Sequence, residues 1–222
     1  MSNLRSGIYG DYYGSYWGES AALTAAQMET SAFYVYSALS DAGWTTEAIA
    51  GLLGNLQHES SINPGRWQSD DVGNVSMGYS LVQWTPSTNY TEWCASQGLS
   101  DPSEMDNAIA RILYELANGL QWIPTSGYAQ SFSEFTKSTG SPYDLACAFA
   151  WNYERSAVVL SGTEAEKEAL RQKRGGSAES WYTFLTGKEP QPPGSGGSTT
   201  KNKRRKRYNF VLFGRKAWRT TV

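Results

Sequence analysis

The chain has 222 residues, 40% of them hydrophobic, with 19 Lys and Arg against 21 Asp and Glu. That length suits one main domain with a sizeable core. Two cysteines and one histidine provide neither a disulfide framework nor metal-ligand spacing, and no apolar run forms a secretory signal or spans a membrane.

Residues 1–20 are rich in Gly and Tyr and read as an N-terminal extension. Residues 21–187 read as one domain. Within it, residues 24–41 predict a helix with Met28, Ala32, Val35 and Leu39 on one face and Gly43 past its end. A second helix follows, with Ile49, Leu52, Leu53 and Leu56 at i, i+3, i+4 and i+7. Thr45 or Thr46 caps it, and Pro64 and Gly65 stop it. Residues 86–96 predict a short helix holding Trp93. Asp101 or Ser103 caps a long one running to Asn118, with Met105, Ile109, Ile112, Leu113 and Leu116 inside. Residues 120–140 are irregular except for a short helical piece at 132–137. Ser141 opens a helix with Leu145, Phe149, Asn152 and Tyr153 on one side, where buried Asn and Tyr require hydrogen-bond partners. Residues 163–186 read as a charged helix, weak at Gly175–Gly176, whose Trp181, Tyr182, Phe184 and Leu185 dock on the core.

The stretch from 54 to 85 carries the chemistry. Glu59 falls seven positions after Leu52, beside the apolar stripe at the C-terminal end of its helix. Partial burial and the negative end of the helix dipole both favour a protonated carboxyl there, and residues 45–65 contain no Lys or Arg to oppose them. A carboxylic acid kept protonated is suited to general acid work. His58, about 100° around the helix from Glu59, reads as a rim residue. A polar loop with Asp70 and Asp71 follows, then Tyr79, Leu81, Val82, Gln83 and Trp84, which together read as a hairpin. A helix-end Glu, an Asp-bearing hairpin and a strand with Gln and aromatics suit a sugar-cleaving cleft. One carboxyl protonates the glycosidic oxygen, the other stabilises the cationic sugar or activates water, and aromatics stack on sugar faces.

The run GLLGNLQHESSINPGRWQ followed by GYSLVQWTP resembles the phage tail lysozyme family. The Glu59–Ser60 pair with the later Gly78 to Gln83 spacing is also similar to goose-type lysozymes and lytic transglycosylases. Tyr153-Glu154-Arg155 resembles a further region of the family, and the resemblance covers about residues 21–186. It implies an α+β, mostly α, lysozyme-like fold with a small β-hairpin beside the catalytic helix. It also implies a virion-associated hydrolase that cuts the peptidoglycan backbone between N-acetylmuramic acid and N-acetylglucosamine during genome entry. Glu59 would be the general acid and Asp71 the second carboxylate, with Asp70 the alternative. Ser60, Tyr79, Gln83, Trp84 and Tyr153 would bind substrate, and no metal or organic cofactor is implied. Glu154 and Arg155 read as a structural ion pair. Two other readings stand beside this one: a lytic transglycosylase using Glu59 alone, and a tail protein that binds glycan without turnover. The implied location is the virion, after synthesis in the host cytoplasm without a signal peptide.

Residues 188–200 read as a flexible linker. Residues 201–222 hold nine Lys or Arg and no Asp or Glu, which leaves ten positive and all 21 negative charges in residues 1–200. A +9 arm thus follows a −11 body. Phe210, Leu212, Phe213 and Trp218 interrupt the arm with apolar anchors that charge-driven nucleic-acid binding does not require. The arm therefore reads as a docking segment for another tail or tail-tip protein. Neither stable membrane insertion nor a nucleic-acid partner is expected.

Overall fold

The computed structural model describes residues 19–187. The expectations for residues 1–18, for the linker and for the basic arm lie outside the described residues. The domain is mostly helical. Its order is α1 Ala25–Asp41, α2 Thr46–Ser60, α3 Thr88–Ser96, α4 Met105–Asn118, α5 Phe132–Lys137, α6 Pro142–Phe149, α7 Ala157–Ser161 and α8 Glu164–Thr186. A π-helical turn, Ala150–Glu154, continues α6.

Local capping fixes most of these starts. Thr24 and Gln27 form a reciprocal capping box at α1, as Ser131 with Glu134 does at α5 and Thr163 with Glu166 at α8. Thr45 caps α2, its hydroxyl accepting from Ala48 N–H at 3.2 Å. Neither Asp101 nor Ser103 caps α4. The Asp101 carboxylate instead accepts from the Ser103 N–H and hydroxyl, closing a local turn, and Glu104 takes the cap position without a side-chain bond. The five-residue helix α7 falls in a β-branched stretch that gives no periodic signal.

Helix α2 is the axis of the core. Ile49, Leu52, Leu53 and Leu56 are all fully buried, and α2, α6 and α8 pack against one another. Glycine permits this closeness. A Cβ on Gly54 would lie 2.6 Å from the Arg174 carbonyl oxygen and 2.8 Å from the Ala178 Cβ. On α8 the Tyr143 ring of α6 occupies the space a side chain would need at Gly175. Far from weakening α8, Gly175 lies in an unbroken helix where the ring docks. Gly54→Ala is expected to destabilise the domain by about 1–3 kcal/mol through overpacking. Thermal unfolding measures it as a drop in Tm of several degrees.

The expected hairpin does not form. Among the described residues, 66–86 form a loop held by isolated bridges between Trp67 and Tyr79 and between Tyr79 and Trp84. Ser69, Asp70, Ser80 and Gln83 all adopt positive φ, so the backbone turns wherever an extended run would have continued. Aromatic rings fill the space beneath this loop. Trp67 meets Tyr79 at 4.5 Å between centroids, and Trp84 stacks on Tyr90 at 4.5 Å.

Candidate active site

Glu59 occupies the last turn of α2, one residue before its end at Ser60. The chain leaves through Ser61 and Ile62, both in the left-handed region. Ser60 is buried and donates its hydroxyl to the Leu81 carbonyl at 2.9 Å, tying the helix end to the loop above it. The Glu59 side chain retains 20% of its accessibility. It does not stand alone as its local sequence suggests. Arg174 of α8, 115 residues further along the chain, donates from Nη2 to Glu59 Oε1. Arg174 also donates from Nη1 to the Asn55 carbonyl at 2.8 Å and is itself buried. The cation that residues 45–65 lack thus arrives from the last helix.

A second carboxyl belongs to the same electrostatic neighbourhood. Glu154 ends the π-helical turn after α6. Burial, followed by the charge of Glu59, holds its carboxyl well above the usual range, with Arg174 acting in the opposite sense. Its expected ion pair with Arg155 is not the contact that forms. Arg155 Nη1 donates to the main-chain carbonyls of Gln121 and Asn152. His58 is half-buried, contacts the Ser177 hydroxyl at 2.9 Å, and has its pKa lowered to about 4 by burial and by Arg174 and Lys173.

The two aspartates lie on the loop. Asp70 pairs with Arg66 at 3.3 Å and accepts from the Ser20 hydroxyl at 3.2 Å. Ser20 also takes the Trp67 N–H, and Asn63 Nδ2 donates to the Glu19 and Ala21 carbonyls, so the segment before α1 straps this loop. Asp71 is exposed and accepts from Asn74 Nδ2 at 2.8 Å. Among the described residues, neither aspartate is hydrogen-bonded to Glu59 or Arg174.

The aromatic candidates are placed differently from a stacking surface. Tyr79, Trp84 and Tyr153 are buried, at 6%, 5% and 1% exposure. Their rings pack on other rings, Tyr153 on Phe149 at 4.4 Å. Gln83 braces the loop, donating from Nε2 to the Ser80 carbonyl at 2.7 Å and the Arg66 carbonyl at 3.1 Å. Trp122 stacks on Phe132 at 4.8 Å inside the core. Asn152 finds the partners its burial requires in Tyr128 and Thr125.

Periodicity did not point to Glu115. It is 1% exposed on α4 and accepts from Trp84 Nε1 at 2.9 Å, from Arg111 Nε at 2.8 Å and from the Tyr153 hydroxyl. Tyr153 is therefore anchored to Glu115. Glu115 joins α4, the loop and the π-helical turn at one buried point. Arg111 at i−4 was the available sequence signal, since a Glu with an Arg one turn away can be buried as a pair.

Cys94 and Cys147 are buried free thiols. Among the described residues no cluster of three His, Cys, Asp or Glu is positioned to hold a metal ion, and no helix is long and apolar enough to cross a membrane.

A mostly helical domain with a partly exposed glutamate closing its central buried helix is consistent with a lysozyme-like domain. The model of the phage tail lysozyme family matches residues 30–185, and the chain belongs to that family. It is also similar to Morphogenesis protein 1 of Bacillus phage B103, at 43% identity over 173 residues. That match covers 78% of this chain and 44% of the relative, so the chain spans less than half the length of that protein.

Proposed function

We propose that this protein is a virion-associated glycosidase. It cuts the peptidoglycan backbone between N-acetylmuramic acid and N-acetylglucosamine as the phage genome enters the cell. The observation that carries this reading is Glu59, a carboxyl that still reaches solvent at the end of an otherwise buried helix. Such a group can approach a glycosidic oxygen while the protein fixes its direction. Family membership and the relative's name, a phage morphogenesis protein, support a tail location and a cell-wall substrate. In this reading Ser60, Tyr79, Gln83, Trp84 and Tyr153 shape the sugar site from beneath the loop. Residues 201–222 dock the domain on another tail protein. Mass spectrometry of digested wall tests the reaction. New reducing ends on muramic acid are expected, and free amino groups released from stem peptides would replace the glycosidase reading with a peptidase one.

The exposure of Asp71, on a loop and bonded to Asn74, favours a second reading in which Glu59 acts without a partner aspartate, as in a transglycosylase. Asp70 is less available than Asp71, because Arg66 and Ser20 already hold it. Asp71→Asn separates the two. If Asp71 serves the cationic sugar or the water, the variant loses roughly 100-fold or more in wall digestion. If Glu59 acts alone, the loss is under about threefold and the products carry 1,6-anhydro ends.

A further inference from the structure

The half of the loop that carries both aspartates has its outer anchor far upstream in the chain. Among the described residues, the hydrogen bonds of residues 67–74 stay within residues 66–87 except at Ser20. The Ser20 hydroxyl accepts from the Trp67 N–H at 3.0 Å and donates to Asp70 Oδ1 at 3.2 Å. Asp70, already paired with Arg66 at 3.3 Å, is the point where this strap grips the loop. The residues on either side of Ser20 are held in turn. Asn63 Nδ2 donates to the carbonyls of Glu19 and Ala21, both at 2.9 Å.

Asn63 stands where α2 gives way to the loop. It is fully buried, its N–H donates to the Ser60 carbonyl at 3.2 Å, and its carbonyl accepts from the Arg66 N–H at 3.3 Å. Its Oδ1 accepts from the Gly65 N–H at 2.9 Å and closes the turn. One side chain thus performs two separable tasks. Oδ1 shapes the exit from α2, and Nδ2 holds a segment that lies before α1 in the chain.

We propose that Ser20 and Asn63 are positioning residues for glycan binding: through them, residues 19–21 fix the Asp-bearing half of the loop relative to the end of α2. This rests on the reading of Glu59 and the loop as the sugar site. Neither residue acts on the sugar directly. Their effect reaches it through the loop that Ser20 grips at Trp67 and Asp70. An anchored loop meets the glycan already ordered, whereas a released loop must be ordered on binding, and that cost is taken from affinity. The strap therefore governs how much wall is needed to saturate the protein, while proton delivery by Glu59 proceeds as before.

The experiment uses the full chain with Ser20→Ala, Ser20→Thr, Asn63→Asp and the double variant of Ser20→Ala with Asn63→Asp. Asn63→Asp keeps the acceptor for the Gly65 N–H and loses the donor to the strap. Rates on isolated cell wall give kcat and the half-saturating wall concentration. Brief trypsin digestion reports on the loop, because Arg66 is the sole Lys or Arg between Arg5 and Arg111. Ser20→Ala and Asn63→Asp should each raise the half-saturating concentration roughly 3–10-fold, the worth of one net hydrogen bond, with kcat within about twofold. Both should be cut after Arg66 sooner than the wild type, with cutting after Arg111 unchanged. Ser20→Thr keeps the hydroxyl and should restore both properties. The double variant should lose less than the product of the single losses, since both changes release one strap. Unchanged half-saturation in both single variants overturns the proposal, whether or not trypsin reaches Arg66. A loss confined to kcat also overturns it, as does faster cutting at every basic site, which marks general loosening. Should Asn63→Asp not fold, Ser20→Ala, at a partly exposed residue, decides by the same two measurements. Clearance of wall by Glu59→Gln would strike instead at the reading of Glu59, a result separate from any failure of the strap.

Discussion

Glu59→Gln is expected to leave a folded protein whose wall-digesting rate falls by about 100-fold or more. General acid–base groups contribute on the order of 10²–10⁴ in rate, and the amide is nearly isosteric but has no proton to deliver. Arg174 can still donate to the amide oxygen, so α2 and α8 stay joined. The loss should therefore appear in turbidity clearance of purified wall, measured below the Tm of the variant, which falls because the amide leaves the buried Arg174 charge unpaired. Normal clearance by the folded variant would remove Glu59 from the chemistry.

Arg174→Met is expected to show a large change in stability. The arginine is buried, and removing it leaves the Glu59 carboxylate and the Asn55 carbonyl facing an apolar chain. Breaking a largely buried ion pair from one side typically costs about 3–5 kcal/mol. Glu59 keeps some contact with water, so the lower end, about 3 kcal/mol, applies here. For a domain of this size that lowers Tm by about 6–12 °C, measured by calorimetry. The double variant Glu59→Gln with Arg174→Met should lose much less than the sum of the two single changes, because neither charge is then left unpaired. Additive losses would show that the two residues stabilise the domain independently.

How far the sequence carried depends on the range over which its signals act. Caps act within four residues, so Thr24, Thr45, Ser141 and Thr163 marked the starts of their helices. Glu59 was legible for the same reason: its place at the end of a leucine-rich stripe is a matter of helical spacing. Arg174 was not legible, because nothing in residues 45–65 shows that a helix begun at 164 delivers its cation there. The loop from 66 to 86 misled in another way. Tyr79, Leu81 and Val82 have strand character, but the positive φ angles of Ser80 and Gln83 bend the chain so that the rings of Tyr79 and Trp84 point into the core. Side-chain packing outweighed local preference there. Glu115 escaped notice because a buried charge violates the pattern by which buried faces are recognised, and its partners Trp84 and Tyr153 lie 31 and 38 residues away.

The span between Glu59 and Arg174 also bears on how the molecule is made. Synthesis delivers α2 early, yet the guanidinium that completes its last turn comes with α8, after every other described helix. Until α8 has emerged and docked along Gly54, a growing chain holds the acidic half of the pair without its counter-charge. A fragment cut anywhere before residue 174 is left in the same condition. Closure of the Glu59–Arg174 pair is thereby deferred to the end of folding, and a product truncated before residue 174 lacks it altogether.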